Sequence, residues 1–261
     1  MPLHTSVPAG DSVRKLSRAL EDRQRIIAWA EQNVCECHFD CDDGGRLTVS
    51  PFSHSTEYRI FCPLLSHECP RGIKFAEQIA ELSLKSLPSD IPTSFRKSLI
   101  KPKETLAVYG ASRWNGKGFL YLCGSTGTGK SFAAAWRIFE DLHKQIEKYW
   151  DSPGLWRDHA NCTARWFSAF AVCMERTNLY AAEAAPMLVI DDLGCELHSP
   201  ANAAILNELI GVRYNFARPT IITSNLALSE FSARYQPRMY ERILQSNNIV
   251  DTGEENLRLV G

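Results

Sequence analysis

The sequence predicts an α/β protein: a parallel sheet flanked by helices, behind a small helical and cysteine-rich N-terminal module. Three observations carry this expectation. Short apolar, β-branched runs alternate with helical segments from Phe119 onward; a glycine-rich loop joins the first such run to an alanine-rich helix; and Cys35, Cys37, Cys41, Cys62 and Cys69 crowd together ahead of Pro88, Pro92 and Pro102. With 261 residues and 44% hydrophobic content, the chain has room for one substantial core and a smaller module, since domains commonly hold about 100–200 residues.

Taken in order, Val13, Leu16, Leu20, Ile27 and Val34 recur near helical spacing behind Asp11 or Ser12, an N-cap pattern. From Cys35 to Pro70 the texture turns to Cys, His, Gly and Ser, with short alternating pieces at Arg46–Val49 and Tyr58–Phe61. A second helical run, Ile73 to Leu87, meets the prolines. Residues 1–90 therefore read as the N-terminal module and 91–117 as a linker or collar, with the α/β domain over 118–261. Within that domain the expected elements are a strand at Phe119–Cys123, a helix at Lys130–Ile146, a strand at Ala164–Ser168 and a helix at Phe170–Ala182. A strand at Met187–Asp191, a helix at Ala201–Phe216 and a strand at Thr220–Thr223 follow. No internal repeat is visible.

A formal net charge of -1 argues against a basic surface overall, so any nucleic-acid contact must come from a local patch. No stretch approaches the roughly 18 apolar residues of a membrane span, and Met1 to Asp11 hold no apolar run behind a basic start. A soluble, cytoplasmic protein without membrane contact is expected. In that compartment the nine cysteines do not read as a disulfide framework. Cys123, Cys162, Cys173 and Cys195 read as small buried hydrophobes.

Gly124-Ser125-Thr126-Gly127-Thr128-Gly129-Lys130-Ser131 matches G-x-x-x-x-G-K-[ST] in full, between an apolar strand and a helix. Glycines at this spacing let backbone N–H groups curl around phosphates, with the helix N-terminus adding its positive end. Lys130 neutralises the β- and γ-oxygens of ATP, and Ser131 offers a hydroxyl to Mg²⁺. The run Met187-Leu-Val-Ile-Asp191-Asp192-Leu-Gly194 ends in two carboxylates. Parallel sheets place ligands beyond the carboxyl ends of their strands, so Asp191 is expected to hold Mg²⁺ and Asp192 to orient or deprotonate the attacking water. Asn225, at the polar tip of the Thr220 run, is placed to meet the γ-phosphate.

The order of these motifs resembles the AAA+ ATPases of the DnaC/IstB type, which include bacterial and phage helicase loaders and transposition-assisting ATPases. The resemblance rests on Gly124–Ser131, on Met187–Gly194, and on LNELIGVRYNFARPTIITSNLALSEF, YERILQ and NLRL between Leu206 and Leu259. It implies an AAA+ core without a helical lid, because the chain stops soon after Arg258. It also implies a sensor-1 role for Asn225, a trans-acting arginine finger at Arg242 in a homo-oligomer, and a sensor-2 position at Arg258. Arg213 is a further candidate interface residue. The function implied is ATP-dependent helicase loading on DNA, taken as single-stranded; the alternatives are regulation of a transposase and a nucleotide-binding scaffold. The long stretch around Trp150 to Cys162 and the short span from Ser168 to Met187 depart from the family's pattern, where members grip DNA.

The clustered cysteines offer two groups of soft ligands around a strand-forming stretch, the logic of a structural Zn²⁺ knuckle. Cys37, Cys41, Cys62 and Cys69 are the preferred set, with Cys35, His38 or His67 as substitutes; reduced thiols without metal are the other reading. Cys41-Asp-Asp-Gly and Cys69-Pro-Arg resemble the two halves of the knuckle in some zinc-bearing loaders. Between Arg96 and Lys117, Arg96, Lys97, Lys101, Lys103, Arg113 and Lys117 face only Glu104, with Tyr109 and Trp114 interleaved. Such a stretch suits a phosphate backbone and base stacking, or a solvated linker. The helix Asp11–Val34 either docks a replicative helicase or transposase or packs on its own module.

Overall fold

A computed structural model describes residues 46–49, 58–61, 70–149 and 164–257. These fall into two compact units, divided after Leu82 and again after Lys144. In the first unit, β1 (Arg46–Val49) and β2 (Tyr58–Phe61) form an antiparallel pair with Arg46 opposite Phe61. The two alternating pieces seen in the sequence are therefore strands. The helix Asp11–Val34 and every cysteine of the cluster lie outside the described residues.

The second unit is built on a five-stranded parallel sheet in the order β4-β5-β6-β3-β7. The strands are β3 (Phe119–Cys123), β4 (Ala164–Ser168), β5 (Met187–Leu193), β6 (Thr220–Ser224) and β7 (Ile249–Asp251). Every residue of the central strands β3 and β6 is buried, as expected where helices cover both faces of a parallel sheet. The strand carrying the acids, β5, is not adjacent to β3: β6 is inserted between them. This unit begins at Ser83.

The helices are α1 (Pro70–Lys85), α2 (Arg96–Leu99), α3 (Leu106–Arg113), α4 (Lys130–Tyr149), α5 (Ala169–Met174), α6 (Arg176–Ala184), α7 (Pro200–Asn215), α8 (Leu228–Arg234) and α9 (Pro237–Leu244). Ala133, Ala134 and Ala135 at the start of α4 are all fully buried, so small side chains let this helix lie close to the sheet. At α7, the Ser199 hydroxyl accepts from the Asn202 N–H at 3.1 Å and Pro200 occupies the first turn, a well-formed start.

One expected helix, Phe170–Ala182, is two. The chain is extended at Glu175 (φ −133°, ψ 123°), and the Asn178 amide donates to the Ala171 carbonyl at 3.1 Å. That carbonyl would accept the Glu175 N–H in a continuous helix, so the Asn side chain substitutes for the lost backbone bond.

The segment expected to be a linker carries structure of its own. Thr105 caps α3 by accepting from the Val108 N–H at 3.1 Å, and Leu99, Ala107, Ala111 and Trp114 are buried. Arg137 on α4 fastens this segment, donating to the carbonyls of Ala111 (3.1 Å) and Trp114 (2.7 Å). Among the described residues, no helix is long and apolar enough to cross a membrane.

Candidate functional site

The loop Gly124–Ser131 lies between the carboxyl end of β3 and the first turn of α4, where its motif requires it. Gly124 (φ 135°) and Gly127 (φ 89°) adopt backbone conformations that other residues rarely reach. A β-carbon at Gly124 would strike the Thr252 hydroxyl, and one at Gly127 the Asn256 amide. Lys130 is buried, its ammonium donating to the carbonyls of Gly124 (2.8 Å) and Ser125 (2.7 Å). The loop thus closes around its own lysine.

The chain beyond β7 supports the loop from behind. The Ser125 N–H donates to the Gly253 carbonyl and the Leu257 N–H to the Gly127 carbonyl, both at 3.0 Å. The Thr252 and Thr128 hydroxyls meet at 2.6 Å, and the Thr252 hydroxyl donates to the Cys123 carbonyl at 2.8 Å. Local sequence does not place Thr252, Asn256 or Leu257 behind the loop, although the NLRL run holds the last two, because these contacts join residues more than 120 positions apart.

Ser131 and Asp191 meet as expected: the Ser131 hydroxyl donates to Asp191 Oδ1 at 2.7 Å. The same oxygen accepts from the Thr223 hydroxyl at 2.6 Å. Burial raises the Asp191 carboxyl above the ordinary Asp value; the Thr223 and Ser131 hydroxyls oppose that rise and the neighbouring Asp192 adds to it. A carboxylate whose charge is this poorly solvated, with a hydroxyl beside it, suits a hard divalent cation such as Mg²⁺. Among the described residues, no cluster of His, Cys, Asp and Glu forms a separate metal cage.

Asp192 and Asn225 are exposed and line one cleft of about 720 Å³ together with Gly127, Lys130 and Ser131. Phe95 and Phe132 pack edge to face, ring centroids 5.7 Å apart, on its apolar side. Lys101, Lys103 and Leu257 also reach it. The buried Glu196 braces the turn after β5, accepting from the Gly194 N–H (2.8 Å), the Tyr235 hydroxyl (2.6 Å) and Arg234 (2.9 Å). Phe95, Phe132 and Glu196 bear no motif that would single them out.

No protein-family model matches the chain, and no curated protein matches it in sequence. Solved structures do. The crystal structure of DnaI is 20% identical over 67% of this chain and 93% of that one, with a TM-score of 0.38. The crystal structure of the DnaC helicase loader is 18% identical over 67% and 99% of the two chains, with a TM-score of 0.41. AMPPCP-bound DnaA from Aquifex aeolicus is 13% identical over 69% and 46%, with a TM-score of 0.39.

Other sequence-derived candidates lie elsewhere. Arg242, on α9, stacks over the Tyr214 ring at 5.6 Å and does not line the cleft of its own molecule. Arg213 is no interface residue: it is fully buried, and its guanidinium donates to backbone carbonyls within its own unit. Trp114 is not available for stacking on a base, being 2% exposed with its indole N–H donating to the Lys117 carbonyl. Arg96 is likewise engaged, closing the end of α1 through the carbonyls of Leu84 and Pro88. Tyr109 is exposed. Cys195, expected to be buried, is exposed on the cleft, whereas Cys123 is buried as expected. Arg258, Cys162 and the stretch 150–162 lie outside the described residues, as do Cys35, Cys37, Cys41, Cys62, Cys69, His38 and His67.

Proposed function

We propose that this chain is an AAA+ P-loop ATPase of the DnaC/IstB type that binds ATP with Mg²⁺ and hydrolyses it. The observation that carries the reading is the 2.7 Å bond between Ser131 and Asp191, which joins the phosphate-binding loop to the acid strand across an inserted strand. In this reading the loop amides and Lys130 hold the phosphates, and Phe95 and Phe132 wall the apolar end where the base lies. Ser131 and Asp191 would hold Mg²⁺, which neutralises charge on the β- and γ-oxygens when bound. Asp192 accepts a proton from, or orients, the attacking water, and Asn225 hydrogen-bonds the γ-phosphate end of the cleft. Arg242 serves the cleft of a neighbouring copy, so turnover depends on assembly.

The client in this reading is a replicative helicase, loaded on single-stranded DNA; regulation of a transposase is the alternative. The N-terminal cysteines Cys37, Cys41, Cys62 and Cys69 hold a structural Zn²⁺ in the module that meets the client. ATP turnover by the full chain, with and without single-stranded DNA, tests the enzymatic reading. Lys130→Ala should abolish nucleotide binding and turnover. Turnover near zero in the parent, unmoved by DNA, would refute hydrolysis and leave a scaffold, whereas capture of the host's transposase instead of its helicase would transfer the assignment.

A further inference from the structure

Two adjacent acids on one strand pose a geometric problem. Successive side chains of a regular strand point to opposite faces, so a regular β5 would aim only one of Asp191 and Asp192 at the cleft. The pairing of β5 with β6 is regular up to Ile190 opposite Ile222, and resumes at Leu193 opposite Ser224. Asp191 and Asp192 together therefore stand against the single residue Thr223. This is a β-bulge, uncommon between parallel strands and suited to re-aiming a side chain. Asp192 absorbs the extra residue at φ 56°, a left-handed conformation uncommon outside Gly, which Asp adopts more readily than most residues and which local hydrogen bonds can hold in place.

Thr223 supplies the hold. Its hydroxyl donates to Asp191 Oδ1 at 2.6 Å and accepts from the Asp192 N–H at 3.0 Å, so one side chain grips both residues of the bulge. Thr223 is fully buried, so water is a poor substitute for either bond. Strand propensity alone would be served equally well by Val; only the hydroxyl distinguishes Thr here.

We propose that Thr223 is a positioning residue, whose buried hydroxyl holds the bulge so that Asp191 faces Ser131 while Asp192 faces the cleft. The roles of the two acids rest on the hydrolysis reading above; the grip on the bulge does not.

The test compares full-length protein carrying Thr223→Val and Thr223→Ser with the parent. Thr223→Val should bind Mg²⁺·ATP within about threefold of the parent yet turn it over some 10- to 100-fold more slowly, as displacement of a reacting group by about 1 Å does. It should also need more Mg²⁺ for half-maximal turnover, and hydrogen exchange at the Asp192 amide should speed by about tenfold or more, on the order of one lost hydrogen bond. Thr223→Ser keeps the hydroxyl and should restore all three. Turnover of Thr223→Val within twofold of the parent, or unchanged protection of the Asp192 amide, overturns the proposal. If the parent itself does not hydrolyse ATP, the hydrolysis reading fails and Asp192 protection alone decides the grip. Should Thr223→Val not fold, Thr223→Ser decides: a loss of turnover beyond tenfold with the hydroxyl intact refutes the assignment.

Discussion

Replacing Arg213 by Met tests whether this arginine is a structural staple. Its Nε donates to the Thr220 hydroxyl at 2.6 Å, Nη1 to the carbonyls of Ala182 (2.7 Å) and Ala185 (2.8 Å), and Nη2 to the Pro219 carbonyl (2.6 Å). These acceptors lie on the segments entering β5 and β6, at the end of the sheet opposite the acids. Burial, helped by Arg218, lowers the guanidinium pKa from its ordinary value to about 10, still well above neutrality, so the side chain is buried as a cation.

Arg213→Met keeps an unbranched apolar chain and removes every donor. The Thr220 hydroxyl retains the Arg218 carbonyl as a partner at 3.0 Å and the Pro219 carbonyl retains the Leu188 N–H at 3.1 Å, so the carbonyls of Ala182 and Ala185 bear the loss. At roughly 2 kcal/mol for each buried acceptor left unpaired, the deficit is about 4 kcal/mol. Relief from burying a cation returns roughly 3 kcal/mol. The net destabilisation is on the order of 1 kcal/mol, a fall in Tm of about 2–4 °C for a domain of this size. Urea denaturation of parent and variant measures it, and nucleotide binding well below the midpoint should be retained. Unchanged or increased stability, or altered self-association with unchanged unfolding, would refute the staple.

Asp191→Asn should abolish Mg²⁺-dependent turnover and yet stabilise the metal-free protein at neutral pH. Because burial raises the Asp191 carboxyl, the folded chain holds this proton more tightly than the unfolded chain, and ionising the group costs stability as pH rises above about 4. Thermal unfolding without Mg²⁺ should therefore give matching Tm values near pH 4 and a gap favouring Asn that widens toward pH 7; a constant gap would contradict this. Arg242→Ala should leave nucleotide binding intact and lower turnover by about 10³-fold or more if it acts as a finger in trans, and normal turnover in the assembled protein would remove that role.

Much of the fold was legible locally. Phe119–Cys123 and Ala164–Ser168 are strands at the expected residues, because a short apolar run bounded by loops and helices has few other ways to bury itself. The helix expected over Phe170–Ala182 was not: the chain is extended at Glu175, and the Asn178 amide takes the Ala171 carbonyl. Charge likewise misled at Arg96, Arg213 and Trp114: basic and aromatic residues read as surface features, but each found backbone carbonyls to bond. The pairing of Ser131 with Asp191 was foreseen from chemistry, and its third member, Thr223, was not.

By itself the sequence determined the element types, the glycine-rich loop Gly124–Ser131 and the acids that accompany it, because spacing, apolar runs and glycines act over a few neighbouring residues. Only tertiary structure decided that β6 enters between the strand before the glycine-rich loop and the acid strand, that Thr252–Leu257 backs the loop, and that a bulge sets Asp191 and Asp192 together against Thr223. Those decisions depend on strand order and register. Register is set by packing between segments far apart in the chain, and no local pattern encodes it.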